Sequence, residues 1–133
     1  MEFAVTTREL TKVFGAFTAV DRLTLNIRRG EICGFLGPNG AGKTTAVRML
    51  CGILEPTAGS ATVAGFDLRR QTEEIKRHIG YMSQKFSLYE DLTVIENLNF
   101  YARIYQIPNG ERKNRIEEML ALAQLKGRED ELV

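Results

Sequence analysis

Apolar residues recur along this chain with two different periods. In Leu23-Thr24-Leu25-Asn26-Ile27 they alternate with polar residues, which puts Leu23, Leu25 and Ile27 on one face of a half-exposed strand. Phe3 to Leu10 has a similar strand-like composition, so Phe3–Leu10 and Ala19–Ile27 predict two antiparallel strands. Thr11 to Phe17 lies between them, with a turn at Gly15 and Phe14 at its edge. Arg28-Arg29-Gly30 then turns the chain into Glu31-Ile32-Cys33-Gly34-Phe35-Leu36, a short apolar run that predicts a buried strand. Thr45 to Leu50 reads as a helix, with Gly52 as the residue just past its end. Pro56-Thr57-Ala58-Gly59 predicts a turn, Ser60–Val63 a short strand closed by Gly65-Phe66-Asp67, and Ile79-Gly80-Tyr81-Met82 a second brief apolar strand. Between these strands, Thr72 is expected to cap a short helix through His78, with Glu73 and Glu74 in its first turn and Lys76-Arg77-His78 in its last.

From about residue 88 onward the period changes to that of a helix. Thr93-Val94-Ile95-Glu96 fits a capping box, in which the Thr93 hydroxyl and the Glu96 carboxylate each satisfy a backbone donor of the other. Val94, Leu98, Tyr101 and Tyr105 then recur on one face, widened by Ile95 and Ile104, until Pro108-Asn109-Gly110 breaks the pattern. Tyr101 and Tyr105 are read as packing residues. A second helix is expected over about 111–126, with Ile116, Met119, Leu120 and Ala123 on its apolar side and Gly127 at its end. The domain organisation expected is a core over 1–87 followed by the start of a helical subdomain over 88–133.

Composition narrows the function. A chain of 133 residues with 44% hydrophobic and 26% charged residues is the size of one globular domain or part of one. Its formal net charge of +1 supplies no broad field for a polyanion, so no nucleic-acid partner is expected. The N-terminus lacks a leader pattern and no apolar run approaches the ~20 residues needed to span a bilayer, which predicts a cytoplasmic protein. Cys33 and Cys51 have neither metal-ligand nor redox spacing and are expected to be buried, reduced hydrophobes. His78, in a charged helix, is read as a solvated side chain.

The chemistry lies in Gly37-Pro38-Asn39-Gly40-Ala41-Gly42-Lys43-Thr44, which fits the phosphate-binding pattern G-x-x-x-x-G-K-[ST] at every specified position. It sits between the apolar run and a helix, the context this pattern requires. Gly37, Gly40 and Gly42 permit positive φ, so successive N–H groups can turn inward as an anion nest without a bulky side chain in the way. The helix that follows directs its unpaired N–H groups and the positive end of its dipole at the same place. Lys43 adds a charge for the β- and γ-phosphates, and Thr44 a hydroxyl for Mg²⁺, which favours a few oxygen ligands in octahedral geometry. A bare glycine turn would need neither side chain. Gln84, leaving the second apolar strand, offers an amide that can accept from metal-bound water or coordinate through its oxygen.

Taken together, these residues resemble the nucleotide-binding subunit of ATP-binding cassette transporters over essentially the whole chain. Phe14 is placed like that family's aromatic-loop residue, which stacks on adenine; the family more often carries tyrosine, but the ring face needed for stacking is retained. Gly37 through Thr45 resemble the Walker A segment, and Gln84 the Q-loop glutamine. The resemblance implies an α/β fold of the P-loop type, with parallel core strands, N-terminal antiparallel strands and an incomplete helical subdomain. It also implies Mg²⁺ and ATP as ligands, with Lys43 and Gln84 in catalytic roles, Thr44 and Gln84 at the metal, and Phe14 with Gly37–Thr45 around the nucleotide. The implied partners are a second ATP-binding subunit and a transmembrane permease docking near Lys85–Leu92, where Phe86, Leu88, Tyr89 and Leu92 make an apolar loop. Phe86 to Tyr105 looks most like the drug- or polysaccharide-exporting branch. That assignment puts the protein at the cytoplasmic face of a membrane.

No stretch of four apolar residues followed by Asp-Glu and no Leu-Ser-Gly-Gly-Gln-like segment occurs, so the chain is expected to be an N-terminal portion that does not hydrolyse ATP alone. Glu129-Asp130-Glu131 follows no apolar strand and is read as solvated. A P-loop GTPase or small-molecule kinase would share residues 37–44, but there is no Asn-Lys-x-Asp or Asp-x-x-Gly motif. A soluble cassette ATPase acting on ribosomes or DNA would share every nucleotide contact. Against it stand the absent basic patches and zinc-type cysteines.

Overall fold

The computed structural model describes residues 2–85 and 87–133. They form two compact units, one up to Tyr81 and the other from Met82 on. The first unit is built on a four-stranded antiparallel sheet in the order β2-β1-β3-β4, from β1 (Phe3–Phe14), β2 (Phe17–Arg28), β3 (Ala58–Val63) and β4 (Phe66–Asp67). Two helices, α1 (Lys43–Leu50) and α2 (Thr72–His78), complete it.

The two N-terminal strands run further than composition predicts, because their pairing continues to the last possible pair, Phe14 opposite Phe17. Gly15 takes φ +57° at the first position of the two-residue turn, the place where a type II′ hairpin wants glycine. Irregularities in the β1–β2 ladder leave donors that threonines satisfy. Glu9 and Arg22 both have positive φ; the Thr24 hydroxyl accepts from the Glu9 N–H at 3.0 Å and the Thr11 hydroxyl from the Arg22 N–H at 3.0 Å. Thr7, buried, donates to the Leu23 carbonyl and accepts from the Leu25 N–H. Gly59 has φ +80°, and a Cβ there would lie 2.2 Å from the Glu9 carbonyl oxygen, so only glycine lets β3 approach β1.

Ala61 and Val63 of β3 point inward with Leu10 and Val20, and meet Ala46, Met49 and Leu50 of α1 and Ile75 of α2. Met49 and Ile75 are wholly buried; truncating Met49 to alanine removes packing worth about 2–5 kcal/mol. Helix α2 starts one residue earlier than its sequence suggests. Gln71, not Thr72, occupies the cap position, since the Asp67 carboxylate already winds the preceding turn by accepting from the Arg69 and Arg70 N–H groups. Those two bonds hold the Asp67 carboxyl below the usual carboxylate range. The Thr72 hydroxyl instead donates back to the Leu68 carbonyl.

The expected parallel core strands are not formed: among the described residues all pairing in the sheet is antiparallel. Glu31–Leu36 and Ile79–Met82 are irregular. Ile32 and Leu36 are 99% and 95% exposed, and Cys33 is exposed rather than buried. A strand exists only when a neighbour takes its N–H and C=O groups, and neither run has one among the described residues. Cys51 is half-buried, which pushes its thiol up.

The second unit centres on α3 (Val94–Ile104) and α4 (Asn109–Leu122), packed through Ala102, Ile116 and Leu120. The capping box at Thr93 is complete, with the Glu96 N–H on the Thr93 hydroxyl at 3.2 Å and the Thr93 N–H on the Glu96 carboxylate at 2.8 Å. The Val94 and Ile95 N–H groups donate to the Glu131 and Glu129 carbonyls, so the first turn of α3 is fully satisfied. Helix α4 is displaced toward the N-terminus relative to the expected 111–126, ending at Leu122; Met119 and Ala123 on its expected apolar side remain partly or largely exposed.

Candidate phosphate-binding site

The glycine loop makes a sharp path into α1. Gly40 and Gly42 have φ of +85° and +84°, a region that costs an L-residue about 1–2 kcal/mol. Gly42 carries a second constraint: a Cβ there would sit 2.1 Å from the Ala19 carbonyl oxygen of β2. Gly40 has open space instead. The two glycines therefore do different work, one freeing the loop and the other seating α1 against the sheet. Between them, the Ala41 N–H closes a turn onto the Pro38 carbonyl at 3.2 Å. Gly37, Pro38, Asn39 and Gly40 are all exposed.

Unlike α3, helix α1 has no side-chain cap. Its ladder begins with the Ala46 N–H on the Gly42 carbonyl, so the N–H groups of Lys43, Thr44 and Thr45 precede it and face outward from the helix start. That is the arrangement an anion uses. The Lys43 ammonium donates to the Gly37 carbonyl, which lays the side chain back across the loop. Thr44 is exposed and Thr45 half-buried. The exposed Thr44 hydroxyl and the open nest fit Mg²⁺ and a polyphosphate: oxygen for the metal, N–H groups and an ammonium for the phosphates. At its far end α1 stops at Cys51 and Gly52, the latter at φ +70° as expected of a residue past the helix end.

Phe14 stands at the hairpin tip, 48% exposed. Along β2 the tip, where Phe17 pairs with Phe14, is two residues from Ala19, whose carbonyl lies against Gly42. The tip is fastened to the turn after α1: the Thr57 N–H donates to the Thr11 carbonyl at 2.9 Å and the Val13 N–H to the Thr57 hydroxyl at 3.0 Å. The structure thus gathers Phe14 and Gly37–Thr45 within one unit. Gln84 belongs to the second unit, exposed in a bend.

Three further residues escaped sequence reasoning. Phe17 is 61% exposed and, as the cross-strand partner of Phe14, projects on the same face. Lys12 places its ammonium 5.2 Å from the centroid of the Phe14 ring; the period of two in a strand could have signalled it. Asn97 is buried and clamps the 89–93 segment, accepting from the Tyr89 N–H and donating to the carbonyls of Tyr89, Leu92 and Thr93. A polar residue on the apolar face of α3 was its signal. Tyr101 adds a bond from its hydroxyl to the Ser87 carbonyl at 2.6 Å, while Leu88 and Tyr89 stay 40% and 46% exposed. Phe86, in the same apolar loop, lies outside the described residues. His78 is exposed, its ring 4.8 Å from that of Phe66.

Residues 20–133 match the family model described as "ABC transporter", a span that begins after Phe14. The chain is 47% identical over 118 residues to the Escherichia coli protein named "Probable multidrug ABC transporter ATP-binding protein YbhF", covering 89% of this chain and 20% of that one. It is 40% identical over 133 residues to the bacitracin transport ATP-binding protein BcrA of Bacillus licheniformis, covering all of this chain and 42% of that one. A solved structure titled as the ATP binding subunit of an ABC transporter superposes with a TM-score of 0.84 at 28% identity, over 97% of this chain and 54% of the other. The chain therefore spans a fifth to about half the length of these relatives. An uncapped helix start behind a glycine nest, in a chain that matches the family model over nearly all its length, has one reading: the chain belongs to the ABC transporter family.

Proposed function

We propose that this chain is the ATP-binding part of the ATPase subunit of an ABC transporter, holding Mg-ATP in the glycine loop and coupling its hydrolysis to transport by a separate membrane subunit. The observation that carries this reading is the uncapped start of α1 behind Gly40 and Gly42, with Lys43 laid across the loop. In this reading the N–H groups of residues 37–45 cradle the phosphates and Lys43 neutralises the β- and γ-phosphates. Phe14 stacks on the base through its face, which every base can share. Thr44 would hold Mg²⁺, which when bound neutralises developing charge on the phosphates.

Residues 1–87 act as the nucleotide core and 88–133 as the beginning of a helical subdomain. The partners are a second ATP-binding subunit and a permease that docks near Lys85–Leu92, where Leu88 and Tyr89 stay exposed although Asn97 and Tyr101 tie the segment down. Attachment to the cytoplasmic face is through that permease; among the described residues no helix is long and apolar enough to cross a membrane. The test is the assembled transporter: single cysteines at Leu88 or Tyr89 should crosslink to a cytoplasmic loop of the membrane subunit, and Gln84→Ala should uncouple transport from ATP consumption. Normal transport in Gln84→Ala together with no crosslink contradicts the coupling role.

A further inference from the structure

The exposed ring at the hairpin tip has two unequal faces. Lys12 and Phe14 are two apart on β1 and so share a side of the strand. The Lys12 ammonium lies 5.2 Å from the Phe14 centroid and donates at 2.8 Å to the Glu55 carbonyl, in the turn after α1. The cation is thus pinned between a carbonyl and a ring, and its attraction to the ring quadrupole fixes how the ring is turned. The backbone of the tip needs no such help, because Thr57 already ties it through the Thr11 carbonyl and the Val13 N–H.

We propose that Lys12 is a positioning residue for the nucleotide base: its ammonium occupies one face of Phe14 and presents the other face for stacking. This rests on the reading of Phe14 as the base platform. The ring arrives pre-oriented, so binding does not have to freeze its rotation, and the affinity gained appears only for ligands that carry a base.

The test is an equilibrium titration of the full-length protein with ATP and with inorganic tripolyphosphate. Lys12→Met keeps the apolar stem and removes the cation. It should weaken ATP by about two- to fivefold, the range for an exposed cation–π contact, and leave tripolyphosphate unchanged. Lys12→Arg should restore ATP binding, since a guanidinium also sits over aromatic rings. In a Phe14→Ala background, Lys12→Met should have no further effect. An equal loss for tripolyphosphate, or a Lys12→Met loss that persists without the Phe14 ring, overturns the proposal. If Phe14→Ala weakens ATP and Lys12→Met does not, the Lys12 role alone is wrong; if Phe14→Ala binds ATP like the wild type, the base platform itself is wrong.

Discussion

Gly40 and Gly42 offer a controlled comparison, because their backbones match in φ and their surroundings do not. Gly40→Ala pays only for a left-handed alanine, about 1–2 kcal/mol. Gly42→Ala adds a steric term: its Cβ would start 2.1 Å from the Ala19 carbonyl oxygen and 3.2 Å from Val20 Cγ2. The first of these is backbone and cannot swing aside, so α1 must move away from β2 by roughly 1 Å, which costs about 1–3 kcal/mol more by overpacking. Losses of about 1–2 and about 2–5 kcal/mol are therefore expected, read from urea unfolding followed by far-ultraviolet circular dichroism at constant m value. Equal losses at the two positions would refute the argument that Gly42 is a packing glycine.

Other consequences are separable. Phe14→Ala should weaken ATP and GTP alike by about 1–3 kcal/mol while Phe14→Tyr stays near wild type, since stacking reads no base edge; equilibrium titration with both nucleotides checks it. Thr93→Ala should cost about 1 kcal/mol of stability, because the N–H of Glu96 loses its acceptor; urea unfolding checks it. The Glu96 carboxyl is held below the usual carboxylate range by the Thr93 N–H, so its folded value lies under its unfolded one. Its contribution is present above the ordinary glutamate range and is lost as the pH falls through the lowered value, so Glu96→Gln should flatten that part of the acid limb of the urea midpoint. Asn97→Ala should speed hydrogen exchange at the Tyr89 N–H, which donates to it.

What could be read from the sequence was whatever is decided by neighbours along the chain. The capping box at Thr93–Glu96, the Gly15 turn and the Gly52 helix end are each fixed within a few residues, and each forms as read. The alternation of β2 likewise predicted a half-exposed antiparallel strand. Glu31–Leu36 shows the limit: composition marks an apolar run, but its strand depends on a partner distant in sequence. The same gap accounts for Cys33, whose burial was inferred from that strand. Thr72 lost the cap position because Asp67 had already wound the preceding turn, a competition that residue preference cannot arbitrate. At the site, the glycine motif gave the loop residues and the period of two along β1 could have given the Lys12–Phe14 pair, while the Ala19 contact behind Gly42 depends on how the start of α1 seats on β2, a contact between segments distant in sequence.

The central claim is that the glycine loop holds the phosphates of ATP, and calorimetric titration of Mg-ATP into the wild type and Lys43→Ala tests it most directly. In the wild type the Lys43 ammonium exchanges a neutral acceptor, the Gly37 carbonyl, for charged phosphate oxygens. Its removal should cost about 2–3 kcal/mol, a loss of about 30- to 150-fold in affinity. Unchanged affinity in Lys43→Ala would show that the phosphates bind elsewhere.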